Sequence, residues 1–569
     1  MLHARRSALF ATILLSPVIA AASCGGGGNG DTSTPTGTGG SSGASSTASS
    51  GSGTGAAGGG LFTGSSSSGG PVGPFNDFPK DPIVDPSAPA NAGTLFGPAG
   101  SGDPSGGPCV FEPEPDTLFP SNWLRPRFRY SPAAGQNLFE IRLHTTAETD
   151  DLVVYTANPS WTMPKDMWTA LTTHAADVPI TMTVRGAQFD GQALVGQPAL
   201  GSSWNFTIAP ADAAGAIVYW TTSGGSALKG FQAGDESVAL ALQPAQVKMP
   251  TVKGDPVSCV GCHTSTPDGK YAGFTAQGPW GNALASVEAA TVGAQPPFMG
   301  AGALATLAQF GELGIQTYSK AHWSDGDHVM IAPFGPSPGA QLAWFDLEAA
   351  QSGQGMSYGF LARNGDTRDV GAPTFSHDGK TVVYVSTDVE FTGRLDNGFA
   401  DLYSVPYNNR QGGAATPVPG ASDPALEEYY PAFSPDDAWL AFNRIPNGNN
   451  MYNQPLGEVF VIPAAGGTAT RLAANDPPMC TGKTSPGVTN SWPKWAPERV
   501  NVGSRTFYWI IFSSTRGPQN RPQLYISGVV VNGGNVETHG ALYLWNQPED
   551  ENNHTPAWDI FKIPSPPPQ

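Results

Sequence analysis

The sequence predicts an all-β chain: a β-sandwich followed by a closed ring of repeated four-stranded units, carried on a disordered N-terminal tether. Three observations predict it. Gly (72) and Pro (54) are abundant among 569 residues, as turn-dense β architecture requires. Short segments between 127 and 208 alternate apolar with polar residues, the period of strands with one buried face. From residue 263 to the end, an aromatic–turn–strand pattern recurs at spacings between 52 and 63 residues. The length itself implies more than one domain. A net charge of −18, from 46 acidic and 28 basic residues, argues against nucleic acid as a partner, because no basic patch is present to displace counterions from phosphates.

Residues 1–23 read as a targeting segment. Arg5 and Arg6 precede an apolar run from Ala8 to Ala22, which is too short for a stable membrane span. Ala21-Ala22-Ser23-Cys24 resembles a bacterial lipobox, with Ala in place of the leading Leu. That resemblance implies diacylation of Cys24 and a lipid anchor in the cell envelope. Gly25, rather than Asp, follows Cys24 and favours the outer membrane. Residues 24–107 are rich in Gly, Ser and Thr and then in Pro, and are expected to form a disordered tether. Some 80 residues of this kind reach roughly 50 Å.

Residues 108–213 are expected to form the β-sandwich. Arg127-Phe128-Arg129-Tyr130, Leu138 to Leu143, Leu152 to Tyr155, Ile180 to Arg185 and Ser203 to Ile208 supply the alternating segments, with turn residues between them. Phe139 to Leu143, Trp168 and Val184-Arg185 together resemble a fibronectin type III or related module, which implies a spacer or docking role.

Residues 215–569 carry the repeat. Pro373-Thr374-Phe375-Ser376-His377-Asp378-Gly379-Lys380 and Pro431-Ala432-Phe433-Ser434-Pro435-Asp436-Asp437 each precede an apolar strand. Weaker copies start near 263, 321, 493 and 556. The pattern resembles the TolB-type (WD40-like) repeat and implies a six-bladed β-propeller. Pro is expected to open each innermost strand, the aromatic to pack between blades, and Asp-Gly to make the tight turn. The last copy supplies one innermost strand. Ile217 to Thr222, Ala227 to Phe231 and Ser237 to Leu242 are expected to join it and close the ring, leaving no open edge.

The first copy is fused to Cys259-Val260-Gly261-Cys262-His263. This spacing reads as a c-type haem attachment site: two thiols for the vinyl groups and an adjacent imidazole for the iron. One covalent haem c is expected, anchored by Cys259 and Cys262, with His263 as proximal ligand. A small disulfide or half of a metal site are the alternatives. Pro256, Gly261 and Pro267 suggest a loop entering a strand, whereas c-type motifs usually sit on a helix. His554, two residues before Pro556, is the expected distal ligand, with His322, Met479 and Met249 as rivals or an open sixth position. His377 is expected at the surface, and Glu427-Glu428 in an exposed loop at the channel mouth. Cys109 and Cys480 remain as a possible disulfide, allowed in an oxidising compartment. No Gly-x-Ser-x-Gly elbow is present. The expected function is electron transfer at the envelope with an unidentified redox partner. The alternatives are a haem-free propeller that binds a protein or ligand at its channel, and a haem enzyme with an open sixth site.

Overall fold

The computed structural model describes residues 73–248, 257, 259–276, 281–309, 314–335, 339–388, 399–449 and 451–564. The leader, Cys24, the tether up to residue 72 and Met249 lie outside the described residues. The described chain is mostly β.

The N-terminal module has two sheets. A six-stranded mixed sheet runs in the order Ile83–Val84, Leu152–Thr156, Leu138–His144, Ile180–Phe189, Leu194–Ile208, Thr117–Phe119. A three-stranded antiparallel sheet joins Cys109–Glu112, Arg127–Ser131 and Ser160–Thr162. Phe128 and Tyr130 from the small sheet meet Ile141, Val154, Val184 and Phe206 from the large one in a common core. Alternation fails at Glu140, which is buried because Arg185 forks onto both its carboxylate oxygens at 3.0 and 2.6 Å.

Two expectations change here. The disordered tether was to continue to 107, yet Ile83 and Val84 pair in parallel with Val154 and Tyr155, and Phe78 and Phe96 are buried. A few apolar side chains, each inserted into an existing core, order this segment, and the average composition of a Pro- and Gly-rich window conceals them. Trp168 lies on a helix, Lys165–His174, which buries it with Leu171 against the core.

Beyond this module, six antiparallel sheets follow one another among the described residues, arranged around a channel as a β-propeller. Six strands position the site: β1 (Ala216–Thr221), β2 (Val260–Ser265), β3 (Asp369–Phe375), β4 (Leu426–Phe433), β5 (Ser491–Trp495) and β6 (Asn553–Asp559). All but β1 are channel-side strands that open or close their sheets. The remaining sheet contributes Thr317, which bridges to Ile331. The ring closes as the sequence implied: β6 pairs antiparallel with β1 and completes a four-stranded sheet with Ala227–Gln232 and Ala239–Leu242. A strand from one end of the chain finishing a sheet begun much earlier ties the ring shut and removes two open edges.

The turns after the inner strands explain the repeat. The hydroxyls of Thr266, Ser376 and Ser434 donate to Asp268, Asp378 and Asp436 at 2.6, 2.8 and 2.8 Å. The next residue takes a left-handed backbone: Gly269 and Gly379 at φ 73° and 75°, and Asp437 at 57°. Pro does not open these strands. Pro373 and Pro431 lie inside β3 and β4, where the register shifts between Gly371 and Thr374 and between Tyr429 and Ala432. A bulge leaves one residue without a ladder partner, so the missing N–H of Pro is harmless there. The copy near 321 also differs: Lys320–Ser324 is a helical turn, and the inner segment lies earlier, at Thr317.

The two modules share one core, in which Leu118 and Phe206 meet Trp509 and Ile526. Cys109 and Cys480 form a disulfide across this junction, with Cα atoms 5.6 Å apart.

Candidate functional site

The channel-side strands carry bulges at matching points. Aligned on their turns, they place Cys262, Ala372, Tyr430, Trp492 and Thr555 at one level of the channel, around a cavity of about 30 Å³. Two residues further along each strand, Thr264, Thr374, Ala432, Lys494 and Ala557 line a wider cavity of about 150 Å³, together with Thr317. The upper level is strained. Tyr430, Trp492 and Thr555 hold left-handed backbones at φ 52°, 60° and 45°. Such geometry costs of order 1–3 kcal/mol for a bulky or β-branched residue, and it gathers where function needs a fixed side chain. Tyr430 and Trp492 stack with centroids 3.7 Å apart and fill much of the constriction.

The Cys-x-x-Cys-His motif folds as a strand. Cys259, buried at its entry, is held in a disulfide and not available as the expected haem anchor, and Cys262 is a free thiol on β2 facing the narrow cavity. His263 is the next residue, and successive side chains of a strand point to opposite faces. Its ring accordingly turns away from the channel toward the neighbouring sheet, where Nε2 donates to the Val218 carbonyl of β1 at 3.0 Å. His554 sits on β6 opposite Trp220 and packs its ring on that indole at 4.6 Å. Both imidazoles are buried, and the Nδ1 atoms of both lack a hydrogen-bond partner. Burial holds both well below the usual imidazole range, at about 4, with the Val218 carbonyl opposing the shift at His263 and the charge of His263 adding to it at His554.

The structure thus brings His554 beside His263, as the ring closure implied, but not into a haem-ligating pair. The His263 Nε2 is hydrogen-bonded to the Val218 carbonyl, and the thiol of Cys262 and the imidazole of His263 address opposite faces of one strand. The cavity at Cys262 is far below the roughly 300 Å³ at which pockets begin to hold a small organic ligand. Among the described residues no group of three or more His, Cys, Asp or Glu side chains is placed to hold a metal ion. The residues as folded here do not fit the macrocycle.

The rival ligands are elsewhere. His322 uses both ring nitrogens, on Asp327 and the Gly379 carbonyl, at 2.9 and 3.1 Å. Met479 is 94 % exposed, next to the junction disulfide. His377 is half-exposed and bonded to Asp437 at 2.8 Å, at the rim of the wide cavity. Glu427 and Glu428 are not in an exposed loop: both are fully buried in β4. Burial raises Glu427 to about 7, opposed by backbone N–H donors, and raises Glu428 to about 8, opposed by Arg444 and assisted by Asp401.

Sequence reasoning passed over Lys494. Burial lowers its ammonium to about 8, while the Cys262 thiol and Asp559 act the other way. The same burial pushes the Cys262 thiol up to about 11, opposed by hydrogen bonding, including to Thr275, and by Lys494. The signal was present in the repeat: Lys494 occupies the position held by Thr264, Thr374 and Ala432 in the other copies.

No protein-family model matches the sequence, and no curated protein matches it. Among solved structures the chain is similar to an ancestral GH74 enzyme, with 13 % identity over 59 % of this chain and 40 % of that one, at a TM-score of 0.34. It is also similar to the hydrazine synthase of Kuenenia stuttgartiensis, with 10 % identity over 55 % and 88 % of the two chains and a TM-score of 0.29. A third likeness is to the dihydro-heme d1 dehydrogenase NirN in complex with DHE, with 12 % identity over 58 % and 64 % and a TM-score of 0.29. The chain spans about two fifths of the GH74 enzyme, and likeness of this degree carries no functional argument.

Proposed function

We propose that this is an envelope-anchored, six-bladed TolB-like propeller that acts as a binding module without haem, its ligand entering the central channel. One observation carries the reading. Inner strands of successive sheets converge on one channel whose walls hold polar side chains, foremost Lys494, which has no ion-pair partner among the described residues. A channel that served only packing would be filled by apolar side chains, as blade interfaces are. The lipobox-like Ala21 to Cys24 supports an outer-membrane lipid anchor, and the fibronectin-like β-sandwich, fused to the ring by a shared core, supports a docking or bracing role.

A c-type haem in electron transfer is the second reading. The spacing of Cys259, Cys262 and His263 favours it, together with the unpartnered Nδ1 atoms of His263 and His554. It requires the disulfide at Cys259 to open and β2 to leave its ladder so that Cys259, Cys262 and His263 reach one face.

Expression beside the c-type maturation machinery separates the two. The expected product is a folded protein whose denatured spectrum shows no covalent haem. A covalent haem that disappears in the Cys259→Ala/Cys262→Ala variant would overturn the binding-module reading, and its spin state would then separate electron transfer from ligand chemistry.

A further inference from the structure

Around the wide cavity, five of the six inner positions at one level are small: Thr264, Thr317, Thr374, Ala432 and Ala557. The sixth is Lys494. Nothing in the fold demands a lysine there, because the equivalent positions of the other sheets are served by Thr and Ala. Among the described residues no carboxylate lies within ion-pair distance of the half-buried Lys494 ammonium, whereas the fully buried Arg185 and Arg516 are paired. The Thr317 hydroxyl accepts the Phe375 N–H at 3.1 Å and is engaged. The Thr264 and Thr374 hydroxyls make no hydrogen bond among the described residues and line the same space. An ammonium partly withdrawn from water into a channel, without a counter-charge, is a ready partner for an anion.

We propose that the wide cavity binds a carboxylate, its charge on the Lys494 ammonium and its oxygens accepting from the Thr264 and Thr374 hydroxyls. This rests on the channel being a binding site and names what it binds. The charge is single, because one lysine stands at this level, while Lys320 and His377 share the turn-side end of the cavity with Asp559 and Glu498, which offset them. The group attached to the carboxylate is small, because Phe375, Phe433, Trp495 and Trp558, each next to a channel-facing residue, turn into the blade cores and leave short side chains on the wall. A free short-chain acid and the C-terminal carboxylate of a polypeptide present this same chemistry.

Calorimetric titration of the full-length protein with butyrate, with neutral butyramide, and with one short peptide carrying either a free or an amidated C-terminus tests the assignment. Butyrate or the free-ended peptide is expected to bind, and butyramide and the amidated peptide to bind at least tenfold more weakly. Lys494→Met is expected to lose at least tenfold in affinity, Lys494→Arg to retain binding within a few-fold, and Thr374→Val to lose a few-fold. Binding of butyrate assigns a small acid; binding of the free-ended peptide alone assigns a polypeptide terminus. Equal binding of charged and neutral probes, or undiminished binding by a folded Lys494→Met protein, overturns the carboxylate assignment and leaves the channel reading standing. Absence of binding by all four probes overturns both.

Discussion

The junction between the modules and the central channel both bury charge, and they treat it in opposite ways. At the junction, the Arg516 guanidinium meets the Glu114 carboxylate at 2.8 Å with both side chains nearly inaccessible. It also donates to the Asn490 side chain at 2.7 Å. Glu112 is held by Arg127, with Glu549 between Arg127 and Arg129. Each charge there has its complement within the chain. In the channel, Lys494 has none among the described residues, and behind the channel wall the Nδ1 atoms of His263 and His554 lack hydrogen-bond partners. Paired buried charges define how two bodies fit together, whereas unpaired ones lower stability and persist only where something outside the chain completes them. The contrast gives the junction an architectural part and supports the proposed recognition in the channel.

The largest effect that can sharpen this comparison is at the junction. Arg516→Met leaves Glu114 buried and alone, and the expected loss is about 3–5 kcal/mol by denaturant unfolding. Adding Glu114→Gln to the same protein should recover much of it; if both variants melt alike, the pair is not what holds the junction. Replacing Cys109 and Cys480 together by Ala comes next, with an expected loss of roughly 2–4 kcal/mol from release of a cross-link between residues 371 apart. An unchanged midpoint would mean that the shared core alone locks the modules. The smallest effect has the opposite sign. Lys494→Met should stabilise the protein by about 2 kcal/mol at pH 7, because it removes an unpaired buried charge. The pH dependence follows from the lysine titrating near 8 in the fold and near 10.4 when unfolded. Between those values the unfolded chain binds more protons, so stability of the unaltered protein rises with pH from 8 to 10. The variant should lack that rise, and identical slopes would place the ammonium in solvent.

Much of the architecture was legible in local patterns. The Ser-x-Asp turns at 376 and 434, followed by Gly379 and Asp437, need particular residues at particular steps, and they announced two repeats outright. Ring closure followed from counting strands: one left over at the C-terminus, three unclaimed before the first copy. The copy near 321 was misplaced because its Asp-Gly turn is reached through a helical turn, so distance along the chain no longer measures distance along the strand. The order of residues 73–107 was hidden because Phe78, Ile83 and Phe96 are too sparse to show a period. Glu427 and Glu428 look like a solvated pair in sequence, yet β4 carries them inward, where Arg444 and backbone N–H groups receive them.

The haem motif shows where local pattern stops. The sequence by itself determined that Cys259, Cys262 and His263 stand at attachment spacing, and that they open a repeat. Only the tertiary structure decided that they lie on a strand, because the ladder with Tyr271–Ala276 forces alternation and sends thiol and imidazole to opposite faces. Likewise, the sequence supplied a Pro-Lys-Trp in place of a Pro-Thr-Phe. The closed ring alone turned that exchange into a single ammonium facing a polar channel, since six strands separated by some fifty to sixty residues each meet at one level only after the last has paired with the first.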